Sequence, residues 1–273
     1  MLRIPTYTSS AIIADWIELY VIVEGKSISK SKLLSKILAQ HNANDEAAVD
    51  SALSELERRA RLYGAYSFYA VNGTVVSLSR TVKWRNHPEY VMCLIYSALG
   101  VVKTNDGGTK LFERLSAAAL QTYLGGVVRI LGHPASMSLK QQLTSLATEC
   151  FEEIGLPPRT YDKDRGVDVV GWKPLQDGRS SQVFVLLQCA AGKHAATKKP
   201  IRQDHWSRFV LWGNRTIPGM SLPKTVSEGD WSKMTDEFDL ILDRPRLLWL
   251  TETSNSHDIK LRQSIVRWCK EQL

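Results

Sequence analysis

Apolar residues crowd the chain from Ser9 to about Val23 with no helix breaker among them, and this predicts a first helix. A second is expected to start at Ser27 or Ser29, whose hydroxyl can cap free backbone amides, and to carry Leu33, Leu34, Ile37 and Leu38. A third spans about Asp45 to Leu62, with Val49, Leu53 and Leu56 at helical spacing and Gly64 where a left-handed cap is easiest. Tyr66 to Val71 and Thr74 to Ser79 are β-prone runs on either side of Asn72-Gly73, a dipeptide suited to a tight primed turn.

Three helices followed by a hairpin is the order of a winged-helix module, in which one helix enters a DNA groove while the hairpin touches the backbone. A helical bundle whose hairpin packs only against a second domain satisfies the same pattern. A further helix is expected at Pro88 to Leu99, and Thr104-Asn-Asp-Gly-Gly108 is the densest cluster of turn formers in the chain. It divides a helical, winged-helix-like domain at 1–104 from a second domain at 109–273. In the second, helices at Lys110 to Leu124 and Ser138 to Ile154 are each closed by a glycine, Gly125 and Gly155. Strands follow at Val167 to Trp172 and Gln182 to Ala190, with shorter ones near Phe209 to Trp212 and Leu240 to Leu242. Helices, then strands, then mixed elements predict an α/β (α+β) fold with a sheet flanked by helices.

Composition narrows the partners. Among 273 residues the formal net charge is +7, which suits a partner rich in phosphates, although many basic proteins bind no nucleic acid. The hydrophobic fraction of 44% is that of a globular chain, so disorder is excluded as the general state. Cys93, Cys150, Cys189 and Cys269 are far apart, with no Cys-x-x-Cys pair, which argues against a zinc ribbon or a dense disulfide framework. Met1 to Ser10 lacks the pattern of a signal peptide, and no apolar run approaches the ~20 residues needed to span a bilayer. A soluble, cytoplasmic protein without a membrane partner is the expectation. The absence of a Gly-x-x-x-x-Gly-Lys-Ser/Thr loop leaves ATP use to a partner.

Three polar residues interrupt surfaces that ought to be buried. Asp168 shares a strand face with Val170 and Trp172, and Gln188 shares one with Phe184, Leu186 and Ala190. Glu113 lies on a helix stripe with Ala117, Leu120 and Leu124. A buried carboxylate left alone costs several kcal/mol, so each must be paired, hydrogen-bonded or metal-bound. Two carboxylates and an amide oxygen that converge make the hard oxygen cage favoured by Mg²⁺ or Mn²⁺. The bland readings are a strand-end acid on a turn amide, a first-turn acid favoured by the helix dipole and a satisfied core amide. His194 and His205 have no second His at metal spacing, and Cys189 points away from the Gln188 face as a small buried hydrophobe. Asp243-Arg-Pro-Arg246 reads as a helix cap after a strand.

Gly166-Val-Asp168, then Gln188 about twenty residues on at the end of an apolar strand, with a preceding helix that bears Glu113, resembles the PD-(D/E)XK nuclease superfamily. Gln188-Cys-Ala-Ala-Gly-Lys193 resembles its branch with glutamine in place of the second acid, found in some restriction and phage-defence nucleases. The resemblance covers roughly Lys110 to Trp212. It implies a restriction-endonuclease-like mixed sheet and a metal-dependent endonuclease that cuts DNA. It also implies metal ligation by Asp168 and Glu113 and by the side-chain oxygen of Gln188. RNA offers the same phosphates and stays open as a substrate, as do a homodimer and a partner subunit of a defence system. The family's lysine, two residues after the second acid, is here Ala190; Lys193 and Lys198 are the two candidates to supply that cation. A nuclease-like domain without catalysis, serving to bind nucleic acid or assemble a complex, is the rival reading.

Overall fold

In a computed structural model the described residues are 2, 4, 9–41, 45–99, 107–131, 137–158, 166–191, 198–254 and 258–273. The elements run α1 (Ser10–Glu24), β1 (Ile28–Ser29), α2 (Lys30–His41), α3 (Glu46–Tyr63), β2 (Tyr69–Asn72), β3 (Val75–Leu78) and α4 (Pro88–Leu99). They continue with α5 (Gly108–Leu124), β4 (Val127–Ile130), α6 (Leu139–Cys150), β5 (Glu153–Ile154), β6 (Val169–Trp172), β7 (Phe184–Cys189), α7 (Gln203–Phe209) and β8 (Val210–Leu211). Last come β9 (Ile217–Ser221), α8 (Glu228–Glu237), β10 (Leu240–Leu242), α9 (Arg244–Glu252) and α10 (Ile259–Gln272). The chain forms two compact units, one of residues 1–106, 223–225 and 258–273, the other of 107–222 and 226–257. The turn-rich boundary near 104–109 thus coincides with the first crossing, whereas the last helix belongs with the first unit and not with the second, where the sequence pattern alone would put it.

In the first unit α1 is buried on every side from Ile13 to Ile22 and packs against α3 and α4. Such a helix suits the core only if its polar groups are satisfied, and α1 carries Asp15 and Glu18. Arg59 of α3 answers both: its Nη1 donates to Asp15 at 2.6 Å and to Glu18 at 3.0 Å, while its Nε donates to Glu55 at 2.7 Å. Tyr90 of α4 adds a 2.5 Å hydrogen bond to Glu18. The network is buried, with Arg59 1% and Glu18 0% exposed.

The three-stranded sheet has the order β1-β3-β2, all antiparallel. Its hairpin register pairs Asn72 with Val75, so Gly73 and Thr74 form the two-residue turn, one residue later than Asn72-Gly73. Gly73 takes φ +60°, the glycine-first form of a primed turn. Of the two expected starts of α2, Ser29 is the one used: its Oγ accepts the Lys32 amide at 3.3 Å and the helix begins at Lys30, while Ile28 and Ser29 themselves pair with the hairpin, Ile28 buried opposite Val76.

The second unit is a mixed α/β structure. Its five-stranded sheet has the order β10-β9-β7-β6-β4; β4, β6 and β7 are antiparallel, and β7, β9 and β10 are parallel. One face carries α5, whose Leu120 and Leu124 sit so close to Gly171 of β6 that a Cβ there would approach their methyls to 2.7 and 2.9 Å. The other face buries Val170, Trp172, Phe184 and Leu186 against Leu143 and Leu146 of α6 and Trp206 and Phe209 of α7.

Helix α6 begins with a complete capping box, Ser138 with Gln141, but stops at Cys150 and does not run on to Gly155. Phe151 is left-handed, and the next residue, buried Glu152, accepts backbone amides from Ser181 and Gly213 at 2.8 Å each. Those two bonds hold the chain out of the helix and release Glu153 and Ile154 to pair with β8. Asp243 caps α9 directly after β10, as the sequence predicts.

Loss of Arg59 leaves two buried carboxylates uncompensated, so Arg59→Ala is expected to cost about 3–5 kcal/mol. Urea unfolding followed by tryptophan fluorescence, to which Trp16 of α1 contributes, measures this; an unchanged midpoint contradicts the ionic account of this core.

Candidate functional site

Asp168 stands one residue before β6, and its backbone already belongs to the sheet. Its N–H donates to Leu187 of β7 at 2.9 Å, and its carbonyl accepts the Leu131 amide, just past β4, at 2.8 Å. The carboxylate then turns across the strand end: Oδ2 accepts the Cys189 amide at 2.6 Å, at the last residue of β7. Main-chain bonds on two sides and a side-chain bond on a third fix this acid, although 15% of its side chain is still exposed. A charge-assisted bond of this kind contributes about 1.5–3 kcal/mol.

Lys198 reaches the same corner. Its ammonium donates to the Cys189 carbonyl at 2.6 Å and lies 3.9 Å from Asp168 Oδ2. Position 190, the expected slot for the cation, is occupied by alanine for a physical reason. Ala190 is 1% exposed and packs in an apolar cluster with Met220, Leu222, Val226, Phe238 and Ile241. A lysine there would bury its charge without a partner. The other candidate, Lys193, lies outside the described residues, as do His194 and the segment 162–165 that precedes Gly166.

Gln188 is on the face away from α5, in line with Leu186 and Phe184. It is 5% exposed, and its Oε1 has no hydrogen-bond partner among the described residues. Its Nε2 closes over Gly166, where a Cβ would come within 2.5 Å. Gly166 also takes φ +85°, so both space and backbone conformation call for glycine.

The pleat turns Cys189 the other way, towards α5. There the Ser116 hydroxyl hydrogen-bonds the Cys189 side chain, and Ser116 and Ser221 are 2.8 Å apart. Burial first, and the nearby carboxylates of Asp168 and Glu113 after it, push the Cys189 thiol well above the usual range. Glu113 therefore belongs to this corner on the Cys189 side. Its side chain is 14% exposed and pairs with Lys110 at 3.1 Å. The structure thus brings Asp168, Gln188 and Lys198 to the ends of two adjacent strands and sets Glu113 across the pleat from Gln188. Among the described residues no three His, Cys, Asp or Glu side chains are grouped as a metal site.

Comparison with protein-family models, curated proteins and solved structures gives no match. Among the described residues no helix is long and apolar enough to cross a membrane.

The four cysteines are free and buried, and burial pushes Cys150 up to about 11. At pH 8 a thiol of that pKa is only about one part in a thousand thiolate. The folded protein should accordingly take up no iodoacetamide, and the urea-unfolded protein four equivalents, by intact mass; fast native labelling of Cys189 contradicts the burial.

Proposed function

We propose that the second unit is a metal-dependent endonuclease for DNA, with Asp168 at the centre of its site and the first unit holding the substrate. The single observation that carries the reading is the corner itself: a fixed, partly exposed carboxylate, an ammonium 3.9 Å from it and, at the adjacent strand end, a buried amide oxygen that has no hydrogen-bond partner among the described residues. Fit to a divalent cation is tested by that orphaned oxygen. Gln188 Oε1 has the hard-donor chemistry a Mg²⁺ or Mn²⁺ ion takes, and magnesium commonly uses one or two carboxylates with water and phosphate for the rest. Asp168 and Gln188 would hold the ion, and Glu113 is the third candidate. When bound, such an ion polarises a phosphoryl oxygen and lowers the pKa of its water.

The residues of the chain do the remaining work. The Cys189 amide orients the Asp168 carboxylate, and the Lys198 ammonium stands 3.9 Å from it. Lys198 also carries the positive charge that meets negative charge as it builds on phosphorus. In the first unit the order α1-β1-α2-α3-β2-β3, with a sheet ordered β1-β3-β2, supports a winged-helix-like reading. In the second, the mixed sheet with α5 on one face supports the restriction-endonuclease-like reading. A setting in restriction or phage defence follows from the resemblance alone. One observation favours a second reading, a binding subunit without catalysis: Asp168 Oδ2 is already engaged by the Cys189 amide, as a purely structural acid would be.

The test is cleavage of supercoiled plasmid, single-stranded DNA and RNA in Mg²⁺, Mn²⁺ or EDTA. Wild type is expected to cut DNA only with metal, Asp168→Ala to lose all cutting with its circular dichroism intact, and Lys198→Ala to lose roughly 10²–10³-fold. Undiminished cutting by the Asp168 variant ends the proposal. Binding that falls steeply with salt, together with no cutting under any condition, selects the second reading.

A further inference from the structure

If the first unit holds DNA as a winged-helix module commonly does, α3 and the hairpin tip should meet phosphate. Their chemistry is against it. The exposed residues of the first two turns of α3 include Glu46 and Asp50, and Lys30, the cation beside them, is shared by both at 2.7 and 2.6 Å. The hydrogen bond to Asp50, followed by that to Glu46, raises the Lys30 pKa, which describes an ammonium already committed to carboxylates. At the hairpin tip, Asn72, Gly73, Thr74 and Val75 are exposed and none is charged.

Exposed cations gather elsewhere in the same unit. Arg61, at the end of α3, and Arg80, just past β3, line one open depression with Ser67, Ser79 and Glu57. The guanidinium of Arg80 lies 5.0 Å from the centre of the Phe68 ring, and Phe68 in turn packs against His87 with the two rings tilted by 51° and their centres 4.5 Å apart. Between Arg80 and His87 the chain exposes Lys83 and Arg85, with Arg85 5.3 Å from the ring centre of half-buried Trp84. Arg262 of α10 then donates to the Asn86 carbonyl, and Glu89 is 3.9 Å from it. The exposed cations are thus Arg61 and Arg80 in the depression, with Lys83 and Arg85 following Arg80 along the chain, and half-buried Arg262 is already engaged by Asn86 and Glu89. The acids beside them are Glu57, at the edge of the depression, and Glu89, next to Arg262. Two of the guanidiniums lie within cation–π distance of aromatic rings, and arginine suits bidentate contact with phosphate.

We infer that this strip, Arg61-Arg80-Lys83-Arg85, is the surface on which the first unit takes the phosphate backbone of duplex DNA, in place of the front of α3 and the hairpin tip. The inference rests on the DNA reading of the whole protein and adds where on the first unit the polymer lies. It is independent of the hydrolytic site, and the experiment keeps the two apart by working in EDTA.

Fluorescence anisotropy of a labelled duplex is titrated with the full chain over a range of salt concentrations, for wild type, the triple variant R80E/K83E/R85E, the single variant Lys83→Glu and a hairpin-tip variant, Thr74→Glu. The triple variant is expected to bind at least ~10-fold more weakly, with a slope of log affinity against log salt smaller by about 0.9 for each phosphate that is no longer neutralised. Lys83→Glu alters only an exposed side chain, so it gives the same kind of change, by about one phosphate, even if the triple variant is poorly folded. Thr74→Glu should bind as wild type does. Wild-type affinity and slope in Lys83→Glu, or a larger loss in Thr74→Glu than in the strip variants, overturns the inference while leaving metal-dependent cleavage untouched. A wild-type chain that cuts no DNA yet loses duplex binding in the strip variants supports the inference and removes only the hydrolytic reading.

Discussion

The second unit is organised around one requirement, that the charge of Asp168 be satisfied at the place where three strands meet. Its amide and carbonyl complete the ladders to β7 and to the residue after β4, and its carboxylate closes the end of β7 through the Cys189 amide. The sheet bonds fix the backbone from which this side chain projects, and the Cys189 amide fixes the carboxylate itself. The contrast with Glu152 is instructive. That acid is more deeply buried, and its two oxygens are each taken by a backbone amide, so its role is complete as a staple between segments. Asp168 keeps some exposure and has a lysine ammonium as a neighbour, which gives the proposed site both a fixed anion and a nearby cation.

Strand pleat decides the rest of the corner. Successive residues of β7 face opposite layers, so Gln188 and Ala190 fall on one side and Cys189 on the other. Position 190 is filled by the apolar cluster of Met220, Leu222 and Phe238, and a cation can reach Asp168 only from beyond the strand. Lys198 does so by donating to the Cys189 carbonyl, which replaces a lysine on the strand with one anchored to the end of the strand. The same pleat turns Cys189 towards the α5 side, where Glu113 lies, and Gln188 away from it. Ligands gathered around one ion would then come from both faces of the sheet and meet at the strand ends, where Asp168 stands.

What could be read in the sequence was whatever depended on local pattern. The helices α1, α3, α4 and α5, the strands β6, β7 and β10 and the Asp243 cap follow from apolar spacing and from capping residues that act within a few positions. Asp168 and Gln188 were visible because each breaks an otherwise apolar strand. Strand β9 was not, since Ile217-Pro-Gly-Met-Ser221 contains the two residues least suited to an inner strand. The fold tolerates them for tertiary reasons: Gly219 gives room to Leu187, whose methyl a Cβ would approach to 2.9 Å, and the Pro218 carbonyl still accepts the Asp239 amide. The early end of α6 was equally hidden, because it is set by Ser181 and Gly213, tens of residues away. So was the return of α10 to the first unit, which no local signal encodes.

Element order and electrostatics point in different directions for the first unit, and their strengths decide between them. Topology says which helix and hairpin stand forward, but it has no energy of its own for a polyanion. Two like charges about 4 Å apart repel by about 1 kcal/mol in water and about 4 kcal/mol near a protein surface, and a duplex carries a charge every ~1.7 Å of its axis. Glu46 and Asp50 at the front of α3 would meet that array with their one neighbouring ammonium already shared. On the proposed reading, the arginines beside the Phe68 and Trp84 rings would meet it with the opposite sign. A module can keep the order of helices and strands that suits a groove and still turn a different, basic edge to its ligand, because the charge on its surface residues is set independently of the apolar pattern that builds it.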